Sequence, residues 1–137
     1  MNINQLETLY NDLKTIEDPF DIIFDFKSEL LSSDDVDYLE FHYKAIQDQT
    51  LPDKVRGYIK SFFFSEAANK RDKKVVEEFL YQKYVNGIED IDLKADVIQL
   101  LGNLRSKHAR KVALENITIR KGKLRYRSII VLGWVGA

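Results

Sequence analysis

Two stretches of the chain superpose without a gap at a shift of 31 residues. LKADVIQLLGNL, Leu93 to Leu104, lies on LRYRSIIVLGWV, Leu124 to Val135. The shift sets Leu93 on Leu124, Lys94 on Arg125, Val97 on Ser128, Ile98 on Ile129, Leu100 on Val131, Leu101 on Leu132 and Gly102 on Gly133. A third copy, VRGYIKSFFF from Val55 to Phe64, fits 38 residues before the first, with Phe64 in place of the glycine. In each copy an apolar residue opens a helix, a long cation points outward and further apolar residues recur at helical spacing. Each therefore reads as the first helix of a helical hairpin. One hairpin cannot bury its apolar face alone, so hairpins of this kind stack and share a core.

Helix punctuation supports the same reading. Only two prolines and six glycines interrupt the chain, which favours long helices over short strands. Asn4 opens a first helix to about Lys14, and Asp18-Pro19 a second, with an acid cap and proline in the first turn. Ser32 and Ser33, followed by Asp34, Asp35 and Asp37, open a third, where acids suit the positive end of the helix dipole. A fourth starts at Pro52-Asp53. Asn69 is expected to cap a fifth from Lys70 to Asn86, which Gly87 ends. Asp92 is expected to cap a sixth, Ser106 a seventh to Asn116, and the last begins near Lys123 or Leu124. ENITIRKGKL reads as a loop, with a short hairpin as the alternative. The second hairpin helices are then Lys70–Asn86 and Lys107–Asn116.

At 137 residues, 45% hydrophobic and 31% charged, the chain is most simply one folded domain. It has no cysteine, which excludes a disulfide framework, a thiol nucleophile and Cys-ligated metal. MNINQLETLY has neither the basic start nor the apolar run of a secretory signal. The uncharged SIIVLGWVGA, Ser128 to Ala137, is only about half the ~20 residues of a membrane span, so a buried helix is expected there and a cytoplasmic location fits. Charge is graded. Residues 1–50 carry 12 acids and 3 bases, residues 51–91 carry 7 and 8, and residues 92–137 carry 3 and 10.

The run DLKADVIQLLGNL, Asp92 to Leu104, resembles the first helix of a HEAT repeat. It is most similar to the short type of phycobilisome-lyase-like proteins, whose helix reads D-x-V-R-x-x-A-x-x-A-L-G-x-I-G. LRYRSIIVLGWVG, Leu124 to Gly136, resembles it too, and the likeness covers roughly residues 51–137. It implies an all-α, right-handed α-solenoid of stacked antiparallel hairpins with about eight helices. Residues 1–50 would form an N-terminal helical cap and residues 51–137 the repeats, the last one incomplete. Terminal repeats normally carry a polar outer face, and Ile130, Trp134 and Val135 do not supply one. Three arrangements answer this: a longer solenoid of which this chain is a piece, an inward-folded cap, or self-association through those three residues.

Catalytic chemistry has little support. His42 and His108 are the only histidines. The first is expected at or near the surface of an acidic helix. The second stands among cations in RSKHARK, poor company for a metal ligand. There is no glycine-rich phosphate loop and no nucleophile motif. Asp34, Asp35 and Asp37 lack the spaced oxygens and glycine of a calcium loop. No catalytic residue, metal or cofactor is assigned.

Two surfaces stand out instead. Arg105, Lys107, Arg110, Lys111, Arg120, Lys121, Lys123, Arg125 and Arg127 crowd the C-terminal third and form a candidate anion-binding patch. Asp34, Asp37, Tyr38 and Phe41 combine acids with aromatic anchors, which suits a basic protein partner. The expectation is a non-enzymatic protein-binding scaffold. The alternative is nucleic-acid binding through the basic patch. Some HEAT-like proteins bind DNA, and a lyase or glycosylase on the same fold is a more distant reading.

Overall fold

The computed structural model describes residues 3–65, 69–119 and 122–136. Among these residues the protein is all-α, with eight α-helices, one short 3-10 turn and no strand. No helix among them is long and apolar enough to cross a membrane. The chain divides into two compact units, Met1–Arg71 and Asp72–Ala137.

The first unit holds α1 (Ile3–Thr15), the 3-10 turn Pro19–Asp21, α2 (Ile23–Leu30), α3 (Val36–Ile46) and α4 (Asp53–Phe64). Helix α1 packs on α2, and α3 on α4. Asp18 caps as its sequence suggests, accepting the Phe20 N–H at 3.0 Å, but the segment closes only a 3-10 turn. The helix proper waits until Ile23, where the buried stripe of Ile23, Phe26 and Leu30 begins. At α3 the cap is Asp35, which accepts from the Asp37 N–H at 3.3 Å. Ser33 instead accepts from the Asp35 N–H at 3.0 Å and shapes the approach. The core is built from Leu6, Leu13, Phe26, Leu30, Leu39, Ile59 and Phe63. Asp48, after α3, ties α1 to this core by accepting from the Tyr10 hydroxyl, from Lys14 Nζ at 2.9 Å and from Thr50 Oγ1 at 2.6 Å.

The second unit holds α5 (Lys73–Asn86), α6 (Ile91–Asn103), α7 (Ala109–Asn116) and α8 (Lys123–Val135). Helix α5 starts later than expected because Asp72 is its cap, accepting from the N–H groups of Lys74 and Val75. Asn69 serves the preceding loop: its side chain donates to the Phe63 carbonyl at 2.9 Å and accepts from the Arg71 N–H at 3.2 Å. Asp90 caps α6 rather than Asp92, accepting from the Leu93 N–H at 3.0 Å. Ser106 accepts from the His108 N–H at 3.1 Å, and α7 begins one residue beyond. Residues 117–119 form a turn, and Arg120 and Lys121 of the same loop lie outside the described residues.

Helix α6 is the centre of this unit. Leu93, Ala95, Val97, Ile98, Leu100, Leu101 and Gly102 are all buried, so it is covered on most of its circumference. Helix α8 lies along it, α5 and α7 also pack against it, and α7 packs on α8. The side-chain pairs between these helices keep the register of the sequence repeat. Lys123 meets Asp92 and Arg127 meets Asp96, each 31 residues apart. Tyr84 donates to Glu115, again 31 apart. Arg105 (φ 55°) and Gly136 (φ 88°), also 31 apart, both carry positive φ just past the ends of α6 and α8.

Candidate partner-binding surfaces

His42 is not a surface residue. It lies one turn from Leu39 and four residues before Ile46, on the buried stripe of α3, and it is fully buried. Its Nε2 stands 2.7 Å from the Ile59 carbonyl, and Arg71 Nη1 stands 2.9 Å from its Nδ1. Those partners select the Nε2–H tautomer, donating to the carbonyl and accepting from the guanidinium. Arg71 also donates to the Leu30 carbonyl at 2.7 Å and lies over the Phe63 ring. Burial and the adjacent guanidinium push His42 down to about 3, so it is neutral. Burial brings Arg71 down to about 10, which leaves it charged at neutral pH. This is a buried cross-link between loops and helices, and its hydrogen bonds are all to groups of the unit itself.

The expected acidic and aromatic face separates into two layers. Asp34 and Asp37 are exposed, but Tyr38 is buried and Phe41 half-buried. Phe41 packs edge-on against Tyr10 at 5.1 Å and near Phe26. Tyr38 reaches Glu29 at 3.5 Å. Of the two aromatic anchors expected from the sequence, Tyr38 is a core residue and Phe41 packs half-buried against Tyr10 and Phe26, because both fall on or beside the apolar stripe of α3.

The exposed aromatic residues of this unit lie elsewhere. Phe20 stands edge-to-face with Tyr58 at 5.5 Å. Together with Lys54, Gly57 and Ser61 they line an open groove of about 620 Å³ on the outer face of α4. Lys54, Gly57, Tyr58 and Ser61 follow helical spacing, so one face of one helix forms the floor. Nothing lies within 4 Å of where a Gly57 Cβ would sit, and the missing side chain deepens the groove. Phe24, Asp21 and Asp25 are exposed on the neighbouring segment. By spacing alone Phe20, three residues before Ile23, belongs with the apolar positions of this segment, and its exposure in the 3-10 turn was not legible in the sequence.

The basic third is largely engaged with its own unit. Lys123 pairs with Asp92 at 2.7 Å, and Arg127 with Asp96 at 3.3 Å and with Gln99. Arg105 donates to the Trp134 carbonyl. Lys107 stands 3.8 Å from Glu78, which also meets His108 at 3.0 Å. Lys111 donates to the Tyr81 hydroxyl at 3.2 Å, and the Tyr81 ring stacks on His108 at 3.6 Å. Arg110 and Arg125 are exposed, and Arg120 and Lys121 lie outside the described residues. The sequence showed the cations but not the carboxylates of Asp92, Asp96 and Glu78 that face Lys123, Arg127 and Lys107. Among the described residues, no group of three or more His, Asp or Glu side chains is placed to hold a metal ion.

Of the C-terminal residues singled out for self-association, Ile130, Trp134 and Val135 are all half-buried. The Trp134 ring covers Gly102. The exposed side of α8 is formed by Arg125, Tyr126, Ile129 and Gly133 instead. No protein-family model matches the chain, and no curated protein or solved structure does.

Proposed function

We propose that this protein is a non-enzymatic protein-binding module of the HEAT-like repeat type, a right-handed α-solenoid whose first unit carries the binding face. The 31-residue register between α6 and α8, repeated between Tyr84 and Glu115, supports the repeat reading. The observation that carries the binding reading is the groove of Phe20, Lys54, Gly57, Tyr58 and Ser61. Exposed Phe and Tyr around a concave, partly apolar surface are what interface hot spots are made of. The unit around it holds 14 acids and 8 bases. Its partner is therefore a basic protein that inserts an apolar or aromatic side chain, with charge guiding approach and the groove setting affinity. The pairing of Lys123, Arg127 and Lys107 with carboxylates weighs against a phosphate-tracking surface in the second unit.

The test compares three immobilised full-length baits: wild type, Phe20→Ala with Tyr58→Ala, and Arg110→Glu with Lys111→Glu. Proteins retained by each are identified, and the affinity of any partner is then measured with purified components. Labelled duplex DNA and single-stranded RNA are titrated in parallel at two salt concentrations. Loss of at least about tenfold in partner affinity with the aromatic variant, and little change with the basic one, is expected. A partner held equally by wild type and aromatic variant sinks the groove. Tight nucleic-acid binding that collapses with salt and with the basic variant would establish the other reading.

A further inference from the structure

The repeat lets one face of α8 be compared with the same face of α6. Tyr126, Ile129 and Gly133 sit one repeat beyond Ala95, Ile98 and Gly102. In α6 those positions are sealed: Ala95 and Ile98 are 0% exposed. The cover at Gly102 is α8 itself, with Val131 Cγ2 at 2.7 Å and Trp134 Cε3 at 3.1 Å from where a Cβ would stand. In α8 the equivalent face is bare. Tyr126 is 64% exposed, Ile129 is 47% exposed, and nothing lies within 4 Å of a Cβ built at Gly133. The chain thus displays, on α8, the surface that its own α6 buries beneath a helix.

We propose that this face is the interface between two copies of the protein, with α8 of one copy packed antiparallel on α8 of the other about a two-fold axis. It extends the α6·α8 interface by one more helix and does not rest on the groove of α4. A two-fold contact must be self-complementary, and this face is. Ile129 lies midway between a large side chain, Tyr126, and a notch, Gly133. Antiparallel pairing brings Ile129 onto its symmetry mate and lays each Tyr126 ring over the opposite Gly133. Charge agrees. Helix α8 begins with Lys123, Arg125 and Arg127 and has no acid in its first turn, so its cations sit at the wrong end of their own dipole. Lys123 and Arg127 are answered by Asp92, Asp96 and Gln99 of α6, and antiparallel pairing places Arg125, on the bare side, beside the partner helix's C-terminus, where cations are favoured. A pair of 13-residue helices forms less than a standard-sized interface, so the dimer is weak, with a dissociation constant on the order of micromolar.

The experiment is sedimentation equilibrium of the full chain over a dilution series through the micromolar range, at low and high salt. The mass should rise from 16.0 kDa towards twice that, and the transition should survive high salt because the contact is mainly apolar. Ile129→Glu should raise the dissociation constant at least about a hundredfold by burying a charge at the axis. Gly133→Leu should also abolish the dimer by filling the notch. Its thermal midpoint as a monomer should stay at or above wild type, since leucine favours helix and the site is open. That variant separates loss of the interface from loss of the fold. A wild-type monomer throughout overturns the proposal. So does a dimer that both variants leave intact, one that high salt alone dissolves, or an assembly that grows beyond two copies.

Discussion

His42 and Arg71 make the residue-scale case. A buried guanidinium is tolerable only when its donors are met, and here two carbonyls, of Leu30 and Ser33, and one imidazole meet them. The imidazole accepts only while neutral. Its value of about 3 in the folded protein lies below the ordinary 6.5, so the unfolded chain takes up the proton first. Stability is therefore undisturbed above pH 6.5 and erodes as pH falls from there towards 3, with a slope approaching about 1.4 kcal/mol per pH unit. Asp48, held well below the usual carboxylate range by Thr50, Tyr10 and Lys14, adds to the loss only below about 4. Urea unfolding at a series of pH values should show the earlier onset. In His42→Gln, whose amide keeps one donor and one acceptor, the decline between 6.5 and 4 should flatten; an unchanged slope would rule His42 out as its source. Its place on the core stripe could be read from its spacing to Leu39 and Ile46. Its partner could not, since Arg71 lies 29 residues away with no pattern linking the two.

At the scale of elements, the glycines of the repeat separate what pattern shows from what packing shows. Gly57 and Gly102 both sit inside helices, where glycine costs roughly 1 kcal/mol against alanine. Gly57→Ala should return about that much, because its side of α4 is open. Gly102→Ala should instead destabilise by about 1–3 kcal/mol, since the new methyl meets Val131 and Trp134 and pushes α8 from α6. Thermal denaturation of the two variants checks both signs; equal effects would mean that α8 does not press on α6. The alignment marked Gly102 and Gly133 as one position, but only the packing tells the covered glycine from the open one. Helix existence was similarly legible while caps were not. Asp72 and Asp90 displaced Asn69 and Asp92, because several adjacent polar residues can cap and the choice belongs to whichever reaches the free N–H groups.

At the scale of the whole molecule, charge is divided as the cores are. The first unit holds 14 acids and 8 bases and the second 8 and 13. The two candidate surfaces lie on different units, the groove on α4 and the bare face on α8. Each is built on the core of its own unit, so a substitution in one should leave the fold of the other unchanged. Tyr58→Ala should weaken partner binding without moving the self-association constant, and Ile129→Glu should do the reverse, leaving partner affinity within about twofold. Measuring both constants on both variants tests this, and a change in both constants from either substitution would mean that the surfaces are linked. The grading of charge was plain from a count along the chain. Its use was not: the basic third looked like one patch until Asp92, Asp96 and Glu78 were found against it.

The sequence by itself determined that the chain is helical, roughly where each helix lies, and that two of them are copies 31 residues apart. Those properties depend on residues within a few turns of one another, where spacing and capping act. Tertiary structure alone decided that Tyr38 and Phe41 turn inward while Phe20, Tyr58, Tyr126 and Ile129 turn outward, and that Arg71 meets His42. It also decided which cations are neutralised and which glycine is covered. Each of those outcomes depends on what a distant segment places against a helix face, and an amphipathic pattern says only that a face is apolar, not what will cover it.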